Sequence, residues 1–145
     1  MKIQKSLGYL LNLCARLMKR TLDAELIKYD ITTTQWGVLK LLSQENHLSQ
    51  AEIADRANGD RATLGAVIDK LIAKGLVKKE LSPKDRRSYI VTILPSATII
   101  VDEVSQLAEN VNHLALQGLS QEQMDTFTEC LRVILLNLEE KKDHA

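Results

Sequence analysis

The chain is 145 residues long and 45% hydrophobic, and its 19 basic and 19 acidic side chains leave no formal net charge. Such a chain fits one domain, or one small domain with helical extensions, and has enough apolar residues for a core. No apolar run reaches the roughly 18 residues that a membrane span needs, and Asn12, Arg16 and the lack of a small-residue cleavage pattern speak against a signal peptide, which places the chain in the cytoplasm.

A first helix is expected from Ser6 to Tyr29, because Leu7, Leu10, Leu11, Cys14, Leu17, Met18 and Leu22 recur at three- and four-residue steps. Thr32-Thr33-Thr34-Gln35 reads as a capping box, which pairs orphan backbone donors at a helix start. The helix it opens carries Trp36, Val38, Leu39, Leu41 and Leu42. Ser49-Gln50-Ala51-Glu52 is a second box, opening a short helix with Ile53, Ala54 and Ala57 that Asn58-Gly59 breaks. Asp60 caps the next helix, whose buried face is Leu64, Val67, Ile68, Leu71 and Ile72, and Gly75 stops it. Two short strands follow, joined by the basic turn Ser82-Pro83-Lys84-Asp85-Arg86-Arg87. The alternation Tyr89-Ile90-Val91-Thr92-Ile93 marks a two-faced strand. Pro95 suits the first turn of a helix striped by Ile99, Ile100, Val104, Leu107, Val111 and Leu114, with Gly118 after it. Ser120-Gln121-Glu122-Gln123 is a third capping box. The last helix carries Met124, Phe127, Leu131, Ile134, Leu135 and Leu138, and Lys141 to Ala145 reads as a frayed tail.

Two short helices joined by a tight turn, then a longer helix and a hairpin, make a winged helix-turn-helix over residues 31–95. The fold class is therefore mainly α with a small β-hairpin wing. Residues 1–30 and 96–145 supply more amphipathic helix than such a domain needs. A helical dimerisation layer built from both chain ends explains them; an intramolecular bundle is the alternative. Two-fold dimers are the commonest oligomers and match two-fold DNA sites.

Charge is unevenly spread. Residues 1–100 hold 16 basic and 10 acidic side chains, and residues 101–145 hold 3 and 9. Residues 78–87 alone carry five basic side chains against Glu80 and Asp85. Phosphate neutralisation acts within about a Debye length, so local positive charge suffices for nucleic-acid binding.

At this point the residues resemble the MarR family of bacterial transcription regulators over nearly the whole chain. GLVKKELSPKDRRSYIVTIL is similar to the family's wing, with Asp85-Arg86-Arg87 on its D-x-R pattern. ATLGAVIDKLIAKGLV resembles its recognition helix, and TTTQWGVLKLL and LSQAEIADRA the two helices before it. Two departures stand out. Gly65-Ala66 replaces a pair that is often polar or basic, and Leu94-Pro95-Ser96-Ala97 replaces a Leu-Thr-x-x-Gly pattern. The resemblance implies a homodimer on a pseudo-palindromic double-stranded DNA operator, with recognition helices in major grooves and wings in minor grooves. It also implies control by small phenolic or lipophilic ligands, or by oxidation.

The resemblance assigns Arg87 to the minor groove, where narrow A·T tracts concentrate negative potential, with Asp85 orienting it by an ion pair and Lys84 and Arg86 on phosphates or groove walls. Arg61 reads a guanine or holds a phosphate. Thr63 bonds a phosphate or touches a thymine methyl. Gly65 and Ala66 either admit close backbone approach or are fillers on a helix packed elsewhere. Ser49 and Gln50, at a helix N-terminus, are phosphate candidates, although Ser49 also serves as the cap. Arg16 and Trp36 are candidates to border a ligand cleft, and core packing is the plainer role for Trp36. Cys14 and Cys130 lie on apolar stripes without CxxC spacing, which suggests buried thiols and no disulfide framework. His47, His113 and His144 show no ligand spacing, so neither metal nor cofactor is expected. No catalytic constellation points to an enzyme. The leading function is a DNA-binding transcription regulator, a repressor released by a small ligand. A winged helix used for protein–protein contact and a cysteine-based redox sensor of the same family are the alternatives.

Overall fold

The computed structural model of the chain describes residues 2–57 and 59–144. It forms two compact units, one reaching to Val111 and the other starting at Asn112. The element order is α1 (Leu7–Leu26), α2 (Thr33–Gln44), β1 (Leu48–Ser49), α3 (Gln50–Ala57), α4 (Arg61–Ala73), β2 (Val77–Leu81), β3 (Tyr89–Ile93), α5 (Pro95–Ala115) and α6 (Gln121–His144). Among the described residues, no helix is long and apolar enough to cross a membrane.

The first helix is shorter than its apolar period suggested. The α-helix ends at Leu26, Ile27–Tyr29 tighten into a 3-10 turn, and Asp30 closes it in the left-handed region at φ 56°. Only Leu22 and Leu26 of α1 are buried, while Leu7, Leu10, Leu17 and Met18 are exposed. Asp23 ties α1 to the next element: its Oδ1 accepts from the Thr33 N–H at 2.6 Å, and its Oδ2 accepts from Lys19 Nζ at 3.0 Å. Partial burial pushes the Asp23 carboxyl up, but the Thr33 hydrogen bonds and Lys19 together outweigh it and hold the group below its ordinary value.

All three capping boxes form. Thr32 Oγ1 accepts from the Gln35 N–H while Gln35 Oε1 accepts from the Thr32 N–H, which also satisfies the one buried polar side chain described, Gln35. Ser49 with Glu52, and Ser120 with Gln123, repeat the reciprocal pattern. Asn58 lies outside the described residues. A Cβ on its neighbour Gly59 would press on the end of the Leu64 side chain, which would have to shift. Gly75 closes α4 at φ 72°, where a side chain costs about 1 kcal/mol.

The sheet has three strands where sequence spacing suggested two. The order is β1-β3-β2, all antiparallel, with Leu48 opposite Val91 and Val77 opposite Ile93. The strand β1 is only two residues long, but it lets the start of α3 hang directly on the wing. Leu39, Leu42, Ile53, Ile68, Leu71, Val77, Val91 and Val104 form the fully buried centre of the core.

Pro95 opens α5 as expected, yet its buried stripe is Ala97, Val101, Val104 and Val111, while Ile99 and Leu114 are exposed. In the second unit, α6 stays helical through His144 instead of fraying at Lys141; Ala145 lies outside the described residues. Phe127, Leu135, Leu136 and Leu138 on α6 are exposed. So are Cys14 and Cys130, against the expectation of buried thiols. The stripes that carry them are the faces that a single chain leaves uncovered.

Candidate nucleic-acid interface

The fold brings α4, the wing tip and the start of α3 into one unit. On α4, Leu64, Ile68 and Leu71 fix the helix against the core, which leaves Thr63, Ala66 and Lys70 exposed on the other side, while Arg61, one turn before Leu64 on the same stripe, is exposed at the helix start. Gly65 is half-buried, and a Cβ there would meet nothing within 4 Å. Packing inside the protein therefore does not demand glycine at position 65.

Asp60 caps α4 by accepting from the Thr63 N–H at 2.8 Å and from Thr63 Oγ1 at 2.7 Å. The Thr63 backbone bond, followed by its hydroxyl bond, holds the Asp60 carboxyl below its ordinary value. The Thr63 hydroxyl proton is thus committed to Asp60.

The wing tip is ordered by its own backbone. The Ser82 N–H donates to the Ser88 carbonyl at 2.9 Å, and the Ser88 N–H to the Asp85 carbonyl at 3.1 Å. The Lys84 N–H donates to Ser82 Oγ. Asp85 does not orient Arg87 through an ion pair. Its Oδ1 accepts from the Arg87 backbone N–H at 3.0 Å, and among the described residues no ion pair joins Asp85 to the guanidinium. In a tight turn the i+2 amide is the nearest donor to an aspartate, so the carboxylate shapes the main chain and leaves the Arg87 side chain extended into solvent. Lys84, Arg86 and Arg87 are all exposed.

The start of α3 is less open. Ser49 Oγ accepts from the Glu52 N–H at 3.1 Å, and Glu52 Oε1 accepts from the Ser49 N–H at 3.1 Å. The Ser49 backbone bond, then the Ser49 side chain, holds Glu52 below its ordinary value and keeps it anionic. A carboxylate at this N-terminus opposes a phosphate on the same donors, so Ser49 acts as a cap; Gln50 beside it is half-buried. Farther along α3, Arg56 forks onto Glu45 with contacts of 2.7 and 2.6 Å, locking α3 to the end of α2.

Arg16 is exposed on α1. Trp36 is half-buried on α2, and its Nε1 is buried without a hydrogen-bond partner among the described residues. Nearby, α5 is fastened to the first part of the chain by Tyr29 Oη donating to Glu103 at 2.7 Å and Lys40 Nζ donating to Ser105 Oγ at 3.0 Å. Sequence spacing gave no hint of these long-range pairs.

Residues 31–89, from the α1–α2 turn through the wing, match the MarR family. This winged-helix segment is similar to the MarR family. The multiple antibiotic resistance protein MarR of Salmonella typhimurium is 26% identical over 130 residues, which is 89% of this chain and 90% of that one. Two solved structures show the same winged-helix fold. The S. aureus MepR–DNA complex superposes with a TM-score of 0.84 at 22% identity, covering 91% of this chain and 98% of that one. Bordetella bronchiseptica BpsR, solved to explain regulation of its DNA binding by 6-hydroxynicotinic acid, superposes with a TM-score of 0.85 at 24% identity, covering 92% and 96%. By these matches the chain is a DNA-binding transcription regulator.

Proposed function

We propose that the chain is a homodimeric, double-stranded-DNA-binding repressor that works in the cytoplasm and is released by a small ligand. The observation that carries the reading is the solvent-facing cationic turn Lys84, Arg86 and Arg87, held by Asp85 at the end of a hairpin that directly follows α4 with its exposed Arg61. Residues 31–95 act as the DNA-binding domain, with Arg61, Thr63, Gly65, Ala66, Lys84, Asp85, Arg86 and Arg87 as its contact set. Ser49, at the end of β1, and Gln50, at the start of α3, support that set. Residues 1–30 and 96–145 act as the dimerisation region. The exposed apolar side chains of α1 and α6 support that role, since single-chain surfaces rarely leave so many large apolar groups in water. The MepR–DNA structure supports the DNA reading and the BpsR structure the ligand reading. Trp36 and Arg16 border the effector site.

Binding of the purified chain to duplexes from its own upstream region, measured across a salt series, tests the proposal. Each phosphate contact adds about one unit to the slope of log affinity against log salt. A steep slope that flattens in Arg87→Ala is expected. A flat salt response in the unaltered chain points instead to a winged helix that binds protein, the reading that uncharged Gly65-Ala66 favours.

A further inference from the structure

The helix α2 has two working sides besides its core face. Lys40 Nζ reaches Ser105 on α5, and Trp36, one turn earlier, shares that side. Thr34, Gly37 and Leu41 follow one another at three- and four-residue steps and make a different stripe. With Arg56 and Ala57 at the end of α3 and Leu64 near the start of α4, this stripe lines a pocket of about 400 Å³. Small-molecule sites commonly measure about 300–1,000 Å³.

Gly37 keeps the pocket open. It lies inside α2, where glycine is less favourable than any residue but proline. A Cβ there would meet nothing within 4 Å, so the room a side chain would take is left to the pocket. Leu41, Ala57 and Leu64 give apolar walls, Thr34 brings a hydroxyl and Arg56 a guanidinium. The guanidinium is only partly committed. Its Nε and Nη2 donate to the two Glu45 oxygens at 2.7 and 2.6 Å. The Arg56 hydrogen bond holds the Glu45 carboxyl below its ordinary value, so the pair stays ionised and offsets its own charge at neutral pH. A guanidinium has five N–H donors, and among the described residues those on Arg56 Nη1 have no partner.

We propose that this pocket binds an uncharged, flat, largely apolar compound with a hydrogen-bond-accepting oxygen, such as an aromatic ketone or lactone. Its ring packs on Leu41, Ala57 and Leu64, and its oxygen accepts from Arg56 Nη1 and the Thr34 hydroxyl. A carboxylate gains little, because Glu45 already offsets Arg56 and repels a second anion. A plain hydrocarbon would cover the Arg56 and Thr34 donors and leave them unpaired. The site is separate from the one proposed for Trp36 and Arg16, and binding does not depend on the DNA reading. A ligand here touches α2, α3 and α4 together, so it stabilises the folded chain as it fills.

The test titrates the ¹⁵N-labelled full chain with 1-tetralone, a neutral aromatic ketone, and with tetralin-1-carboxylate, an acid on the same skeleton, at fixed pH and salt. Saturable amide shifts from the ketone are expected at Thr34, Gly37, Ala57 and Gly59, with a Kd of about 1 mM or below for a ligand of this size. The acid should bind at least about fivefold more weakly. Gly37→Leu puts a side chain into the opening and should abolish the response without lowering the melting temperature. Glu45→Gln uncovers the Arg56 charge and should narrow or reverse the preference for the ketone; it decides the matter if Gly37→Leu fails to fold. Equal affinity for acid and ketone in the unaltered chain, a preference unmoved by Glu45→Gln, or undiminished binding by folded Gly37→Leu would overturn the proposal. So would the absence of any shift, or shifts confined to Trp36 and the facing part of α5, since the ketone would then occupy the other site. A flat salt response toward duplex DNA, with the ketone behaving as expected, sinks the DNA reading alone.

Discussion

Arg87 shows how a motif can be legible while its mechanism is not. The D-x-R spacing was readable, and so was its place at the tip of a hairpin. Whether Asp85 meets the guanidinium or the amide depends on turn geometry, and the structure puts the carboxylate on the amide. The consequence is a division of labour that mutants can separate. Arg87→Ala should lower duplex affinity about tenfold or more, with melting temperature unchanged. Asp85→Ala should lower it by a smaller factor, about threefold, by loosening the turn; fluorescence anisotropy with labelled duplex measures both. If Asp85→Ala proves as damaging as Arg87→Ala, the carboxylate does more than shape the backbone. Gly65 offers a sharper test. Because a Cβ there meets nothing, Gly65→Ala should raise stability by about 0.5–1 kcal/mol through helix propensity. If bases approach the α4 backbone at this point, the same change should weaken DNA binding. A variant both more stable and equally tight removes Gly65 from the contact set.

Elements with local signals were readable, and those built by distant pairing were not. Capping boxes depend on residues three apart, and all three formed. The strand β1 has two residues and exists only because β3 lies beside it, so no window of sequence around Leu48 could mark it. The α5 stripe was read in the right phase, with Ile100, Val104, Leu107 and Val111 on the core, but Ile99 and Leu114 at its margins are exposed and Ala97 and Val101 complete it. Ser49→Ala should cost about 1 kcal/mol in denaturant unfolding, the usual loss for a cap. The caps also set an acid limit. Asp60, Glu52 and Asp23 are held below their ordinary values of 3.8, 4.5 and 3.8. Groups lowered in the folded state contribute fully above those ordinary values, and the contribution is lost as pH falls through the lower native values. Melting temperature should therefore decline as pH drops below about 4.5. Asp60→Asn keeps a capping oxygen but cannot titrate, so its decline should be shallower. An equal slope in the variant would remove Asp60 from the acid response.

For the molecule as a whole, the uneven charge and the surplus of amphipathic helix in the sequence point to a DNA-facing part and an assembly-forming part. What composition could not say is which apolar side chains a single chain leaves uncovered. Leu135 and Leu138 are more than half exposed, at 54% and 63%. Leu135→Glu with Leu138→Glu should give a soluble monomer by sedimentation, with duplex affinity falling at least about a hundredfold as the second half-site contact is lost. A variant that still sediments as a dimer would move the interface off this face of α6. The order β1-β3-β2 has one more consequence. With β3 paired on both sides, the longer open edge of the sheet is β2, whose five residues Val77–Leu81 expose main-chain groups that a neighbouring molecule's strand could extend. Lys78, Lys79 and Glu80 occupy its middle, and crowded charges of this kind discourage fibril-like stacking between molecules. Exchanging Lys78 and Lys79 for valine should therefore turn the hairpin into an aggregation seed, detectable as turbidity at concentrations where the unaltered chain stays clear.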